Sequence, residues 1–169
     1  MPTLSPPAPL DSRHRLDGFS CTIEELEHWL KQRARKNHLE GATRCFVVCS
    51  DDAVVGYYAL AAGSVSRAAA PGGIRRNMPE PIPAIVLGRL AVHRDWSGRG
   101  IGAGLLKDAV LRTLRVSQEL GIRVMLCHAV DENARRFYLR HGFVESPGEP
   151  LTVMLNLAGT LELVRQSAR

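Results

Sequence analysis

Four alternating glycines, at positions 98, 100, 102 and 104, are the feature of this sequence best suited to chemistry. Glycine has no side chain, so neighbouring backbone N–H groups can approach a ligand closely. An apolar, strand-like run precedes the glycines and a helical pattern follows them, so the positive end of a helix dipole points to the same place. The segment predicts a cradle for phosphate oxygens. Arg99 adds a guanidinium for a charge-assisted hydrogen bond to the same phosphates.

Other phosphate-binding motifs fit the glycine segment less well. A P-loop needs Gly-Lys followed by Ser or Thr, which this segment lacks. The run Gly98-x-Gly100-x-x-Ala103 matches a dinucleotide fingerprint, but several predicted strands precede it. The acidic residue expected at the end of the next strand is also missing. A glycine-rich turn that only reverses the chain remains the structural alternative.

The elements around the glycines predict a parallel crossover. Ile85 to Val92 is strongly apolar and predicts a central strand. Apolar residues then recur at helical spacing from Leu105 towards Gly121, and Ile122 to Cys127 predicts the next strand. Two strands joined through a helix in this way are typically parallel. Asp131 is placed to cap a short helix that follows.

The remaining segments predict a helix, a hairpin and a last strand. Thr22 to Glu25 fits a capping box, and the helical pattern after it stops near Gly41. Residues 46–62 predict two antiparallel strands joined by an acidic turn, and residues 151–157 predict the last strand. Residues 67–83 predict a loop, either a lid or a plain connection. The whole is a mixed α/β sheet.

Length and composition limit the class of protein. The 169 residues are 45% hydrophobic and 23% charged, as in one globular domain. No apolar run approaches the ~20 residues that span a bilayer, and the proline-rich start lacks the apolar core of a secretory signal. We therefore expect a cytoplasmic protein with no membrane segment. We expect a flexible arm over residues 1–14, one domain over 15–160 and a tail over 161–169.

The cysteines predict buried thiols and no metal site. No Cys-x-x-Cys pair is present, and the spacings are not those of a zinc site or a disulfide framework. A free cysteine usually behaves as a small apolar side chain. The four positions are Cys21, Cys45, Cys49 and Cys127.

The net charge of +5 favours an anionic partner. Residues 31–44 hold five basic groups and one acid, and residues 89–140 hold ten basic groups and five acids. Such clusters contact phosphates without reading base sequence. For residues 31–36 taken alone, a solvated helix face with Glu27 paired to Lys31 is an equal alternative. The candidate phosphate contacts are Lys31, Arg35, Lys36, Arg75, Arg76, Arg135 and Arg136.

Two blocks of the sequence resemble the GCN5-related N-acetyltransferases, the GNAT family. LGRLAVHRDWSGRGIGAGLL is similar to its acetyl-CoA motif, Gln/Arg-x-x-Gly-x-Gly/Ala at a strand-to-helix turn. Gly100 and Gly102 occupy the glycine positions, and Ser97 stands where the family usually has Gln or Arg. DENARRFYLRHGF is similar to a later motif in which a helix presents Tyr beside the thioester, and Asn133 and Tyr138 match it. The resemblance implies a GNAT acyl-CoA N-acyltransferase fold, a mixed central sheet flanked by helices.

The same resemblance implies acetyl-CoA as co-substrate and no metal. The strand before the glycine turn would offer backbone groups to the pantetheine arm, and the turn would hold the pyrophosphate. Tyr138, with an ordinary pKa of ~10, suits the protonation of a leaving thiolate. Each residue also has a structural alternative to its functional role. Tyr138 would then be a core aromatic, and Asn133 a polar residue in the first turn of the helix. The implied cofactor contacts are Leu90, Ala91, Val92, Ser97, Gly98, Arg99, Gly100, Ile101, Gly102, Ala103 and Asn133.

From about Leu16 to Leu157 the chain also resembles the acetyltransferase toxins of type II toxin–antitoxin systems. In that branch the substrate is the free amino group of an aminoacyl-tRNA, and the antitoxin is a small ribbon-helix-helix protein. The resemblance implies a homodimeric toxin that inhibits translation, whose basic clusters contact tRNA phosphates. Two other functions stay open: acetylation of a small amine or a protein N-terminus, and a non-catalytic nucleotide-binding module.

Overall fold

Seven strands and six α-helices lie within residues 3–169, the part of the chain that the computed structural model describes. The strands are β1 (Ala8–Pro9), β2 (Arg44–Ser50), β3 (Ala53–Val65), β4 (Ile82–Val92), β5 (Val124–His128), β6 (Val144–Ser146) and β7 (Glu149–Asn156). The helices are α1 (Glu24–Gln32), α2 (Ala34–Glu40), α3 (Gly72–Arg75), α4 (Ile101–Ser117), α5 (Glu132–Arg140) and α6 (Leu157–Ser167). The sheet order is β1-β2-β3-β4-β5-β7-β6.

The chain divides into two compact units. The first contains the residues up to Ala61 together with Gly88–Ala109, and the second contains Ala62–Leu87 together with Val110–Arg169. Because β3, β4 and α4 each contain a boundary, both units are built from two separate stretches of sequence.

The first unit contains the predicted hairpin and α1. β2 and β3 pair antiparallel and are joined by a turn in which Asp51 and Asp52 have positive φ. The buried side chains of α1 recur at helical spacing, and one of them, Trp29, stacks on Tyr57 of β3 with ring centroids 5.9 Å apart. A helix with one apolar stripe packs that stripe on the sheet. The predictions of a hairpin and of an amphipathic helix are confirmed.

The start of α1 corrects the sequence prediction. Ile23 is the N-cap residue and no side chain caps the helix, so the predicted capping box does not form. The Glu27 carboxylate instead accepts a hydrogen bond of 3.0 Å from the Cys21 N–H. The helical pattern is also interrupted at Arg33, which separates α1 from α2. Gly41, with a φ of 82°, ends α2 as predicted.

Residues 3–14 differ from the flexible arm that their proline content predicts. Ala8 and Pro9 pair with β2, the Ser5 N–H donates to the Cys49 carbonyl at 2.9 Å, and Leu10 is only 4% exposed. Prolines fit here because an edge strand needs few ladder donors. Met1 and Pro2, which the predicted arm also includes, lie outside the described residues.

The second unit contains the parallel part of the sheet. β4 and β5 pair in parallel from Ala84↔Val124 to Leu87↔Cys127, which confirms the predicted crossover. β7 pairs antiparallel with both β5 and β6. The segment expected to be a tail is largely helical, because α6 follows β7 directly and the Asn156 side chain caps its first amides. Within residues 3–169, no helix combines the length and apolarity needed to cross a membrane.

The cysteines are free thiols and all four are buried, as predicted. Burial raises the pKa of Cys45 to about 12 and the pKa of Cys127 to about 11. The ordinary pKa of a cysteine thiol is 9.0, so above pH 9 the unfolded chain releases these protons while the folded chain retains them. The stabilisation from these thiols is complete below pH 9 and is lost as the pH rises towards the folded values.

We therefore expect the free energy of unfolding to fall as the pH rises from 9 to 11. Each of the two thiols contributes up to about 1.4 kcal/mol per pH unit in that window. Urea denaturation in the presence of a phosphine reductant measures the slope, and Cys45→Ala is the control whose slope should be shallower. A constant unfolding free energy from pH 8 to pH 10.5 would contradict this account.

Candidate active site

The glycine segment forms the turn that leads from β4 to α4. Gly98 and Gly100 have φ values of 76° and 80°, in the left-handed region that costs other residues roughly 1–2 kcal/mol. A Cβ added at either position would meet no heavy atom within 4 Å. Backbone conformation, and not crowding, therefore requires glycine at both positions, and the outer side of the turn is open to a ligand.

The first turn of α4 supplies backbone donors to the same place. The first helical hydrogen bond runs from the Gly104 N–H to the Gly100 carbonyl at 3.1 Å. The amides of Ile101, Gly102 and Ala103 come before it, and such amides have no partner within their own helix. α4 continues to Ser117, so its dipole places partial positive charge at this end. The arrangement suits a bound pyrophosphate.

Arg99 and Ser97 flank this turn and are both exposed. The Arg99 guanidinium lies 4.7 Å from the centroid of the Trp96 ring, so the indole holds the charge near the turn. The Ser97 hydroxyl reaches only the His93 carbonyl, at 3.5 Å. The short Ser97 side chain therefore offers a ligand little more than one hydroxyl. The roles of Ser97 and Arg99 in cofactor binding stay predictions.

The end of β4 is anchored to the segment that precedes α1. The Arg94 N–H donates to the Ser20 carbonyl at 2.8 Å, and the Arg94 guanidinium donates to the Cys21 carbonyl at 3.1 Å. His93 Nε2 lies 3.0 Å from the Gly18 carbonyl. These contacts fix the backbone of Leu90 to Val92, which the sequence assigns to the pantetheine arm. The composition of the segment gives no sign of this anchoring role.

α5 carries the second predicted motif. The Asp131 carboxylate accepts a hydrogen bond of 2.8 Å from the Ala134 N–H, which confirms the predicted cap. Asn133 is exposed in the first turn of α5. Tyr138, by contrast, is buried and only 5% exposed. The Tyr138 ring packs against Phe143, with centroids 5.4 Å apart. The helix therefore holds the tyrosine in one orientation.

The Tyr138 hydroxyl lies close enough to the Cys127 thiol on β5 for the two groups to shift each other's pKa. Burial raises the pKa of Tyr138 well above its ordinary value, and the neighbouring thiol raises it further. Tyr138 therefore keeps its proton throughout the physiological pH range. The sequence alone does not indicate Cys127 as its neighbour, because the pair is brought together only by packing of α5 on the sheet.

The basic candidates of the first unit are not equivalent. Lys31 forms an ion pair with Glu27 at 3.4 Å, so the alternative interpretation of the helix face is correct for this residue. Arg35 donates to the His14 carbonyl and lines an open cavity of about 520 Å³ together with Lys31 and Arg15. Lys36 is exposed on α2. Arg35 and Lys36 are therefore better placed than Lys31 to contact phosphate.

In the second unit, acids neutralise one of the two candidate arginine pairs. Arg135 forms ion pairs with Glu132, at 2.6 Å, and with Glu145. Arg136 Nε lies 3.5 Å from the same Glu132. Arg75 and Arg76 are exposed at the end of α3, away from any such pair in the described residues. They are the stronger phosphate candidates of this unit.

Comparison with known proteins gives the family. Residues 41–145 match the model described as an acetyltransferase (GNAT) domain. The chain belongs to the GNAT family. It is an acetyl-CoA-dependent N-acetyltransferase, and its seven-stranded mixed sheet flanked by helices confirms the predicted GNAT fold.

Similar GNAT proteins cover almost the whole chain. The tRNA-acetylating toxin of Mycobacterium tuberculosis is 44% identical over 160 residues, which are 95% of this chain and 96% of the relative. The structure of AtaT complexed with acetyl-methionyl-tRNAfMet is 29% identical with a TM-score of 0.88, over 96% and 99% of the two chains. A tyrosine-to-phenylalanine mutant of AtaT, bound to acetyl-CoA and the C-terminus of the antitoxin AtaR, is 27% identical with a TM-score of 0.80, over 95% and 97%.

Ser97→Gln should tighten the binding of acetyl-CoA to this GNAT enzyme. The longer amide restores a polar side chain at the family position beside the open turn, where Ser97 has only a short hydroxyl. We expect a dissociation constant about threefold to tenfold lower, the gain of roughly one hydrogen bond. Calorimetric titration measures it, and Ser97→Ala should bind like the wild type. An unchanged constant in the glutamine variant would show that the backbone amides suffice.

Proposed function

We propose that this GNAT enzyme is the toxin of a type II toxin–antitoxin system. It transfers the acetyl group of acetyl-CoA to the free amino group of an aminoacyl-tRNA and so inhibits translation. The observation that carries the proposal is the 44% identity, over 95% of the chain, to a protein named as a tRNA-acetylating toxin. The similarity to AtaT complexed with acetyl-methionyl-tRNAfMet supports the same substrate class.

The residues described above supply the steps of such a transfer. Acetyl-CoA provides an activated acyl group as a thioester. The turn at Gly98 and Gly100 and the first amides of α4 bind its pyrophosphate, with Arg99 as an added charge, while Asn133 and the backbone of residues 90–92 orient the rest. The substrate amine attacks the thioester carbonyl, the C–S bond breaks, and the sulfur takes its proton from Tyr138. The proton that the amine loses restores the Tyr138 hydroxyl through solvent, so protons and charges balance.

No strong protein base is needed in this scheme. An amino group next to an ester carbonyl is less basic than an ordinary amine, so a useful fraction is neutral at physiological pH. The described histidines near the turn have other roles, since His93 Nδ1 accepts a hydrogen bond from the Asp95 N–H at 3.0 Å. Tyr138 is then the residue on which the rate of the chemical step depends most.

The exposed basic side chains would hold the tRNA by its phosphates. We assign Arg35, Lys36, Arg75 and Arg76 this role, because each projects from the surface of its own unit. Lys31, Arg135 and Arg136 are secondary candidates, because carboxylates already lie against them. Contacts of this kind weaken steeply with salt.

The proposal also includes the partners of the toxin. A small ribbon-helix-helix antitoxin would neutralise it, and the enzyme would act as a homodimer in the cytoplasm. The similarity to an AtaT mutant bound to the C-terminus of the antitoxin AtaR supports an antitoxin partner.

A cell-free translation reaction tests the proposed toxin activity. The purified protein should stop protein synthesis when acetyl-CoA is present, and Tyr138→Phe should not. Leaving out acetyl-CoA is the control that separates acetyl transfer from simple binding. Inhibition that is independent of acetyl-CoA would favour a non-catalytic binding module and overturn the proposal.

A further inference from the structure

Arg89 on β4 is a partly buried cation that forms no ion pair within the described residues. Its guanidinium lies 4.4 Å from the centroid of the Trp29 ring, in a cation–π contact with α1. Its Nε atom is buried and has no hydrogen-bond partner, and no carboxylate within residues 3–169 pairs with the guanidinium. Buried polar groups in folded proteins are nearly always bonded, and buried charges are paired. The Nε atom of Arg89 is therefore an unused donor, and an oxygen of a ligand is a suitable partner for it.

The neighbouring strand shows which face of the sheet Arg89 occupies. Tyr57 stacks on Trp29, and its hydroxyl donates to the Leu26 carbonyl at 2.6 Å, so Tyr57 faces α1. Gly56 faces the opposite way, because a Cβ there would lie 3.0 Å from Leu105 of α4. The Arg89 guanidinium, which also contacts Trp29, thus lies on the face covered by α1.

This position separates Arg89 from the site assigned to the pyrophosphate. The glycine turn opens into α4, which packs on the face of the sheet opposite to α1. Ala91, two residues after Arg89, is 7% exposed in the core cluster that also contains Trp29 and Tyr57, which agrees with the alternation along β4. A ligand oxygen that accepts a hydrogen bond from Arg89 would therefore belong to a group other than the cofactor pyrophosphate.

The geometry points to Arg89 as a contact for a phosphate of the acceptor substrate. If the acceptor is an aminoacyl-tRNA, as proposed above, this is a phosphodiester near its 3′ end. A guanidinium presents a planar set of donors that matches phosphate oxygens, and stacking on an indole leaves the edge of that plane free to donate. Trp29 thus orders the side chain before the substrate binds, which lowers the entropy cost of binding.

Arg89→Gln tests this contact with intact aminoacyl-tRNA. We expect the KM for aminoacyl-tRNA to rise about tenfold to a hundredfold, the loss of one charge-assisted hydrogen bond, with kcat within about twofold. The slope of log KM against log salt should become shallower by about one, because one phosphate contact is lost. The dissociation constant for acetyl-CoA should not change. Arg165→Gln, an exposed site on α6, is the charge-matched control and should behave like the wild type.

The outcomes separate this inference from the proposed function. A higher KM with an unchanged salt slope, an unchanged KM, or a parallel loss of acetyl-CoA affinity would each overturn the phosphate contact. If Arg89→Gln does not fold, as judged by circular dichroism, Arg89→Lys keeps the charge and loses the planar fork, and a KM equal to that of the wild type would overturn the inference. A wild-type enzyme that fails to acetylate any aminoacyl-tRNA would contradict the proposed function itself.

Discussion

Tyr138→Phe should lower kcat for acetyl transfer by about a hundredfold to ten-thousandfold, the range typical of a lost general acid. The variant keeps the ring packed against Phe143 and removes only the hydroxyl. Burial raises the pKa of that hydroxyl well above its ordinary value, so the hydroxyl is protonated at every physiological pH and Phe removes a proton that the wild type always carries. Affinity for acetyl-CoA, measured by titration, should stay within about twofold.

Tyr57→Phe is the matched control for this prediction. Tyr57 is also a buried tyrosine, but its hydroxyl donates to the Leu26 carbonyl of α1. Removing it should lower the free energy of unfolding by about 1 kcal/mol, the net contribution of one hydrogen bond, and leave kcat nearly unchanged. If Tyr138→Phe retained the wild-type kcat, Tyr138 would be only a core aromatic.

Replacing both Gly98 and Gly100 by alanine should raise the dissociation constant for acetyl-CoA by about a hundredfold. Both residues have φ values near 80°, and each alanine costs roughly 1–2 kcal/mol in that conformation, which together correspond to about two powers of ten. The turn then leaves the shape in which its amides converge. At saturating acetyl-CoA, kcat should recover to within about threefold.

Gly104→Ala separates a conformational effect from a general effect of added methyl groups. Gly104 lies inside the first turn of α4, and a Cβ there meets nothing within 4 Å. Alanine is favourable in a helix interior, so this variant should be slightly more stable and bind acetyl-CoA normally. If the double alanine variant bound acetyl-CoA with wild-type affinity, the glycine turn would not be part of the cofactor site.

The features that sequence reasoning predicted correctly depend on residues that are close together in the chain. The glycine turn at 98–104 and the Asp131 cap depend on backbone geometry within a few residues, and both form as expected. The hairpin of β2 and β3 and the crossover from β4 to β5 follow from apolar runs of the right length and order. Such signals survive folding because neighbouring residues determine them.

The features that were missed depend on residues far apart in the chain. The pairing of Ala8 with Val47 turns a proline-rich segment into an edge strand, which composition alone does not indicate. Glu145 neutralises Arg135, and Cys127 meets the Tyr138 hydroxyl, only after the strands and α5 pack. The stacking of Arg89 on Trp29 joins residues 60 positions apart. Sequence patterns identify candidate residues, whereas tertiary packing decides which of them are free to act.

The most direct test of the proposed function is acetylation of purified, charged tRNA with labelled acetyl-CoA. We expect label in the aminoacyl-tRNA, released by mild alkali as an N-acetylated amino acid, with no label on uncharged tRNA. Parallel reactions with each of the charged tRNAs would define the preferred amino acid. The proposed function would be contradicted if no aminoacyl-tRNA were labelled, or if label appeared only on small amines or protein N-termini.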